Sequence, residues 1–77
     1  MNNLSKLDKA LREALCMHDS DNVDVYVRDD GTIDLMFCSR NNSFCIDENV
    51  CRFDNLTEDD IDEIIKVADK YDAGCIF

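Results

Sequence analysis

A chain of 77 residues that is 45% hydrophobic has room for one small globular domain and for no second. Its eighteen acids outnumber eight Lys and Arg to give a net charge of −10, which repels nucleic acid and anionic membrane and attracts basic surfaces. Nothing in it approaches the roughly 20 consecutive apolar residues of a membrane span.

The opening "MNNLSKLDKALREAL" carries charge where a signal peptide needs an apolar stretch, so a cytoplasmic protein is expected. The same stretch predicts a helix. Leu4, Leu7, Leu11, Leu15 and His18 recur at three- and four-residue steps beside Ala10 and Ala14, and Asn2 or Asn3 caps the start. "HDSDN" then breaks the pattern with turn formers.

Strict alternation follows, with Val23, Val25 and Val27 on one side and Asp24, Tyr26 and Arg28 on the other. It resumes with Ile33, Leu35 and Phe37 against Asp34, Met36 and Cys38. Same-face residues must sit opposite each other, because a one-residue slip would flip the whole set. An odd-numbered loop does this, so Asp29, Asp30 and Gly31 form a three-residue turn with Gly31 left-handed. Asn41 and Asn42 suit a second, two-residue type I′ turn, which sets Phe37 opposite Ile46 and Cys38 opposite Cys45. Past Asp47, "CRF" either continues a bent strand or makes a short new one after a turn at Glu48 and Asn49.

"NLTEDDIDEIIKVADKYD" predicts the last helix. Thr57 and Asp60 have the spacing of a capping box, Leu56 and Ile61 that of a hydrophobic staple. Ile61, Ile64, Ile65, Ala68 and Tyr71 form the buried stripe, and Gly74 is the stop. The expected fold is α+β: one two-layer domain over residues 1–77, ordered α-β-β-β-α, with both helices on one face of an antiparallel meander.

Charge is unevenly spread. Residues 1–18 carry three bases and two acids, residues 19–53 three and eight, and residues 54–77 two and eight. Glu58, Asp59 and Asp60 favour the dipole of the last helix, and Asp62 and Glu63 can pair with Lys66 or Lys70. Asp19 and Asp21 sit where the first helix dipole disfavours them, Asp24 and Asp34 stand on the outer sheet face, and Asp29 and Asp30 tip the hairpin. Turn preference accounts for Asp29 and Asp30 and partly for Asp21, but not for all six. Carboxylates two apart on a strand lie roughly 7 Å from each other, a spacing similar in scale to backbone phosphates.

Other chemistry is poorly supported. "DSDNVD" starts like a calcium loop, but Val23 and Asp24 replace a ligand and the turn glycine. The five cysteines include no C-x-x-C and read as reduced thiols, and "GCIF" puts Cys75 one place too late for prenylation. His18 beside Cys16 and Asp19 makes no nucleophile triad, since such residues meet through the fold. No enzyme, cofactor or metal is expected. Tyr26, Met36, Cys38 and Cys45 make the outer sheet face unusually apolar, unless the tail at residues 75–77 folds over it.

In size, acidity and element order the chain resembles the small anti-defence proteins of phages and mobile elements, among them anti-CRISPR inhibitors of Cas nucleases. That resemblance implies a protein that binds and inhibits a basic nucleic-acid-binding defence protein, such as a CRISPR–Cas effector, and competes with its nucleic acid. Asp19, Asp21, Asp24, Tyr26, Asp29, Asp30 and Asp34 would make the contact, helped by Asp59 and Glu63. An immunity or antitoxin-type partner, or an accessory protein that dimerises through its sheet, fits the same features. None of these readings has the chain touching nucleic acid or membrane directly.

Overall fold

The computed structural model describes residues 2–77. Helix α1 spans Asn3–Leu15, and strands β1, β2 and β3 span Val23–Val27, Thr32–Cys38 and Ser43–Arg52. Helix α2 spans Glu58–Lys70, and a last strand β4 covers Gly74–Ile76. The fold is α+β, with the sheet ordered β3-β2-β1-β4. The expected order lacked β4, which runs parallel to β1 and makes the sheet mixed.

Asn2 caps α1 by accepting the Ser5 N–H at 2.8 Å, while the Asn3 amide donates to the Arg52 carbonyl. Leu7, Leu11 and Ala14 are buried with Val23, Val25, Val27, Ile33 and Leu35, and Ile64 and Ala68 of α2 join the same core. The first hairpin has the register that alternation demands, with Val23 opposite Phe37, Val25 opposite Leu35 and Val27 opposite Ile33. Gly31 stands at φ 88°, where a Cβ would collide with the Phe53 carbonyl oxygen. Only glycine fits there.

The second hairpin departs from expectation. Phe37 faces Phe44 rather than Ile46, and Cys38 faces Ser43 rather than Cys45. The turn starts at Ser39, whose hydroxyl donates to the Asn42 carbonyl at 2.8 Å and accepts the Asn42 N–H at 3.1 Å. Neither Asn41 nor Asn42 adopts positive φ, so this is no type I′ turn. Over residues 43–45 the register moves by two, so those side chains keep their faces; the bulge before Asp47 then shifts it by one and sets Asp47 opposite core-facing Leu35. Bulges then bend β3, which continues as one strand through Cys51 and Arg52 with Asn49 left-handed at φ 55°.

In α2 the capping box is complete: the Thr57 hydroxyl accepts from the Asp60 N–H and the Asp60 carboxylate from the Thr57 N–H, both at 3.1 Å. The buried stripe is rotated slightly from its expected line. Val67 packs on the core with Ile64, Ala68 and Tyr71, whereas Ile61 and Ile65 lie at its margin. The helix ends at Lys70, and the left-handed residue just past its cap at Tyr71 is Asp72, not Gly74. Asp72 takes φ 56°, its N–H bonds the Asp69 carbonyl, and the Ala73 N–H reaches back to the Ala68 carbonyl at 2.9 Å. That double closure is a Schellman motif, and it turns the chain back toward β1. A side-chain network ties the helices together, since Asp8 accepts from the Tyr71 hydroxyl at 2.6 Å and from Lys70 at 2.9 Å. Both bonds favour the ionised carboxylate and hold Asp8 below its usual range.

Candidate partner-binding face

Alternation in β1 and β2 sends the valines and Ile33 and Leu35 into the core, and turns Asp24, Tyr26 and Met36 to the other side. The bulged stretch of β3 closes over the Asp34 end of that outer face, while Tyr26 stays open. The tail does not fold over the face. β4 instead joins the edge of β1, pairing Gly74 with Asp24 and Ile76 with Tyr26, and so widens the face. Tyr26 and Ile76 remain 38% and 40% exposed, and Phe77 lines a shallow groove with Tyr26, Arg28 and Asp29.

Asp34 was expected on this surface. It is 1% exposed. One carboxylate oxygen accepts from Arg28 Nε at 2.7 Å and the other from the Asn49 N–H at 2.8 Å. The bulged stretch of β3 closes over it, so Asp34 clamps that bend and offers nothing to a partner. The pair holds the Arg28 guanidinium more firmly protonated, with Glu48 a further 3.8 Å neighbour. Arg28 is therefore engaged chiefly by Asp34, though it stays half-exposed and close enough to Asp30 to help lower that carboxyl's pKa.

The other expected residues fall into three places. Asp24 is half-buried, its carboxylate lying against Gly74 so closely that a Cβ there would strike it. Burial and the neighbouring Asp24 together push the Cys38 thiol up. Asp19 precedes and Asp21 lies within a 3-10 turn at Ser20–Asn22 that leads into β1, and Asp29 and Asp30 lie past the other end of that strand. At ~3.3 Å per residue the two acidic ends of β1 are roughly 20 Å apart. Asp30 is partly engaged, accepting the Thr32 N–H at 2.9 Å, and that bond lowers its pKa.

Asp59 and Glu63 stand elsewhere. Both belong to α2 in the helical layer, where Glu63 pairs with Lys66 at 3.4 Å and faces a groove lined by Asp8, Lys9 and Arg12 of α1. They are separated from Tyr26 by the sheet itself. The regular phosphate-like spacing is also missing from the strands, because the place two residues beyond Asp24 is Tyr26 and Asp34 is buried. What is assembled is an apolar pair, Tyr26 beside Ile76, with half-buried Met36 diagonal to it across from Asp24, and acids at both ends of β1. Among the described residues Asp19, Asp21, Asp24, Asp29 and Asp30 enter no ion pair.

Sequence reasoning overlooked Ile76 and Phe77 as members of this face. Their only signal was an apolar run after Gly74, too short to show a period. Among the described residues no three His, Cys, Asp or Glu side chains gather closely enough to hold a metal ion, and no helix is long and apolar enough to cross a membrane. Comparison with family models, curated proteins and solved structures finds no match to this chain.

Proposed function

We propose that this chain is a stoichiometric inhibitor that docks its outer sheet face on a basic nucleic-acid-binding protein of host defence, such as a CRISPR–Cas effector, and excludes the nucleic acid. The observation that carries this reading is an exposed pair, Tyr26 beside Ile76, with half-buried Met36 on the diagonal and, at both ends of β1, carboxylates that enter no ion pair among the described residues. An apolar centre with an aromatic anchor supplies affinity once desolvated, and the acidic ends supply attraction and orientation. The same surface suits an immunity or antitoxin-type complex with a basic toxin, which differs only in the partner. The defence class comes from the resemblance in size, charge and element order. Cytoplasmic action and the absence of catalysis belong to the same proposal.

A binding and cleavage assay with purified Cas nucleases and basic toxins tests it. Asp19, Asp21 and Asp29 changed together to Asn should weaken binding at least tenfold at low salt and remove inhibition. The matched change Asp59→Asn, Asp62→Asn, Glu63→Gln on the opposite layer should leave binding within twofold. Tyr26→Ala should also weaken binding, with less dependence on salt. Equal behaviour of parent and all three variants would sink the model. Binding to a toxin with no effect on any nuclease would favour the immunity reading.

A further inference from the structure

The outer edge of the sheet carries a second surface, independent of the face just described. β3 is an edge strand, paired on one side to β2 and open on the other. Bulges and the left-handed Asn49 disrupt its far half, but residues 43–45 pair regularly with β2 and hold no Pro, Lys or other charge. Natural edges are usually blunted by such residues, as the far half of this strand is, but the stretch at residues 43–45 is not.

The direction of its free backbone groups follows from the ladder. The Ser39 N–H bonds the Asn42 carbonyl, so the pairs Cys38–Ser43 and Met36–Cys45 are of the non-hydrogen-bonded kind and Phe37–Phe44 of the bonded kind. Phe44 thus turns its N–H and C=O to β2, while Ser43 and Cys45 turn theirs outward. Beside this edge lies exposed apolar surface. Phe44 stacks on Phe37 at 4.9 Å yet stays 40% exposed, and Met17, 81% exposed, shares a groove with Ile46.

We propose that the free edge of β3 pairs with the same strand of a second copy of this chain, antiparallel and two-fold symmetric about Phe44. In that register Ser43 and Cys45 of each copy exchange backbone hydrogen bonds with Cys45 and Ser43 of the other, and the two Phe44 rings become neighbours at the non-bonded position. Charge favours the second copy as occupant. Arg40 is exposed and in no ion pair among the described residues, and the two-fold brings the turn that carries it toward the acidic bend of the other copy's β3 at Asp47 and Glu48, where Glu48 lies 3.8 Å from its own Arg28. The even register keeps both helical layers on one side, so the two sheets continue as one.

Sedimentation of the full chain over a concentration series, in ~0.15 M salt where the Debye length is about 8 Å and repulsion between acidic bodies is screened, reads the association. The expected result is a concentration-dependent shift from one chain to two. Ser43→Pro removes an outward N–H that no intrachain ladder bond uses, so it should raise the dissociation constant at least tenfold with an unchanged circular dichroism spectrum. A thiol pair checks the register without depending on that variant. In Cys38→Ser, Ser43→Cys, the introduced thiol should form an interchain disulfide with Cys45 of the second copy on mild oxidation with diamide. The bonded pair has Cα atoms about 5.5 Å apart, within the range a disulfide spans. A chain that stays monomeric at every concentration overturns the proposal. So does a dimer untouched by a folded Ser43→Pro, or a parent chain that crosslinks through its own Cys45 instead.

Discussion

Replacing Asp34 with Ala removes a carboxylate that is 1% exposed and accepts two hydrogen bonds, from Arg28 Nε at 2.7 Å and from the Asn49 N–H at 2.8 Å. A hydrogen bond to a charged group contributes about 1.5–3 kcal/mol net, and a buried N–H left without a partner costs about 1–3 kcal/mol. The Arg28 side chain is 44% exposed, so water can replace Asp34 on that side and the full cost of stranding a buried charge does not apply. The expected loss is therefore roughly 2–4 kcal/mol, taken mainly from the Asn49 side. Whole-domain stability at this length is about 4–12 kcal/mol, so one side chain would remove a third or so of it. Urea titration by circular dichroism should show a lower midpoint with unchanged slope, and the melting temperature should fall by roughly 10–25 °C. Asp59→Ala, on the exposed first turn of α2, is the matched control and should cost about 0.3–1 kcal/mol. If the two variants agree within ~0.5 kcal/mol, Asp34 is no clamp and belongs with the binding acids after all.

Gly31→Ala should destabilise by roughly 2–4 kcal/mol, because a positive φ and a collision with the Phe53 carbonyl act together; the same urea titration reads it, and a neutral result would refute the turn geometry. Asp72→Gly should do the reverse, stabilising by about 0.5–1 kcal/mol, since Asp72 holds the left-handed position that ends α2. Acid should weaken the helix–helix contact in a defined window. The folded pKa of Asp8 is lowered, so its stabilisation is complete above the ordinary value of 3.8 and is lost as pH falls below that value through the folded pKa. Stability measured between pH 5 and pH 2 should then fall less steeply for Asp8→Asn than for the parent, with Asp30 accounting for part of what remains.

Which parts of this were legible in the chain follows from the range of each interaction. Periodicity and parity are local, so the leucine stripe of α1, the capping box at Thr57 and Asp60, and the hairpin pairing Val23 with Phe37 were all readable from the residues. The turn after β2 was misread because Asn41 and Asn42 suggested their own conformation, while the Ser39 hydroxyl gathered the turn around itself. Even so residues 43–45 kept their faces, because a register change of two leaves each side chain on its side; the bulge that follows ends that parity at Asp47.

Composition, charge and alternation by themselves determined that this is a small acidic α+β domain with a valine-lined core and a surplus of carboxylates. They could not place those carboxylates. Alternation put Asp34 on the outer face, but whether that position is wet depends on Arg28 and on the β3 bulge at Asn49, fifteen residues away. In the same way β4 has three residues, too few for any period, and exists because the reversal at Asp72 delivers the tail to the open edge of β1. Burial and edge pairing arise from contacts between distant segments. Only the assembled fold could separate the clamp at Asp34 from the free acids at the ends of β1.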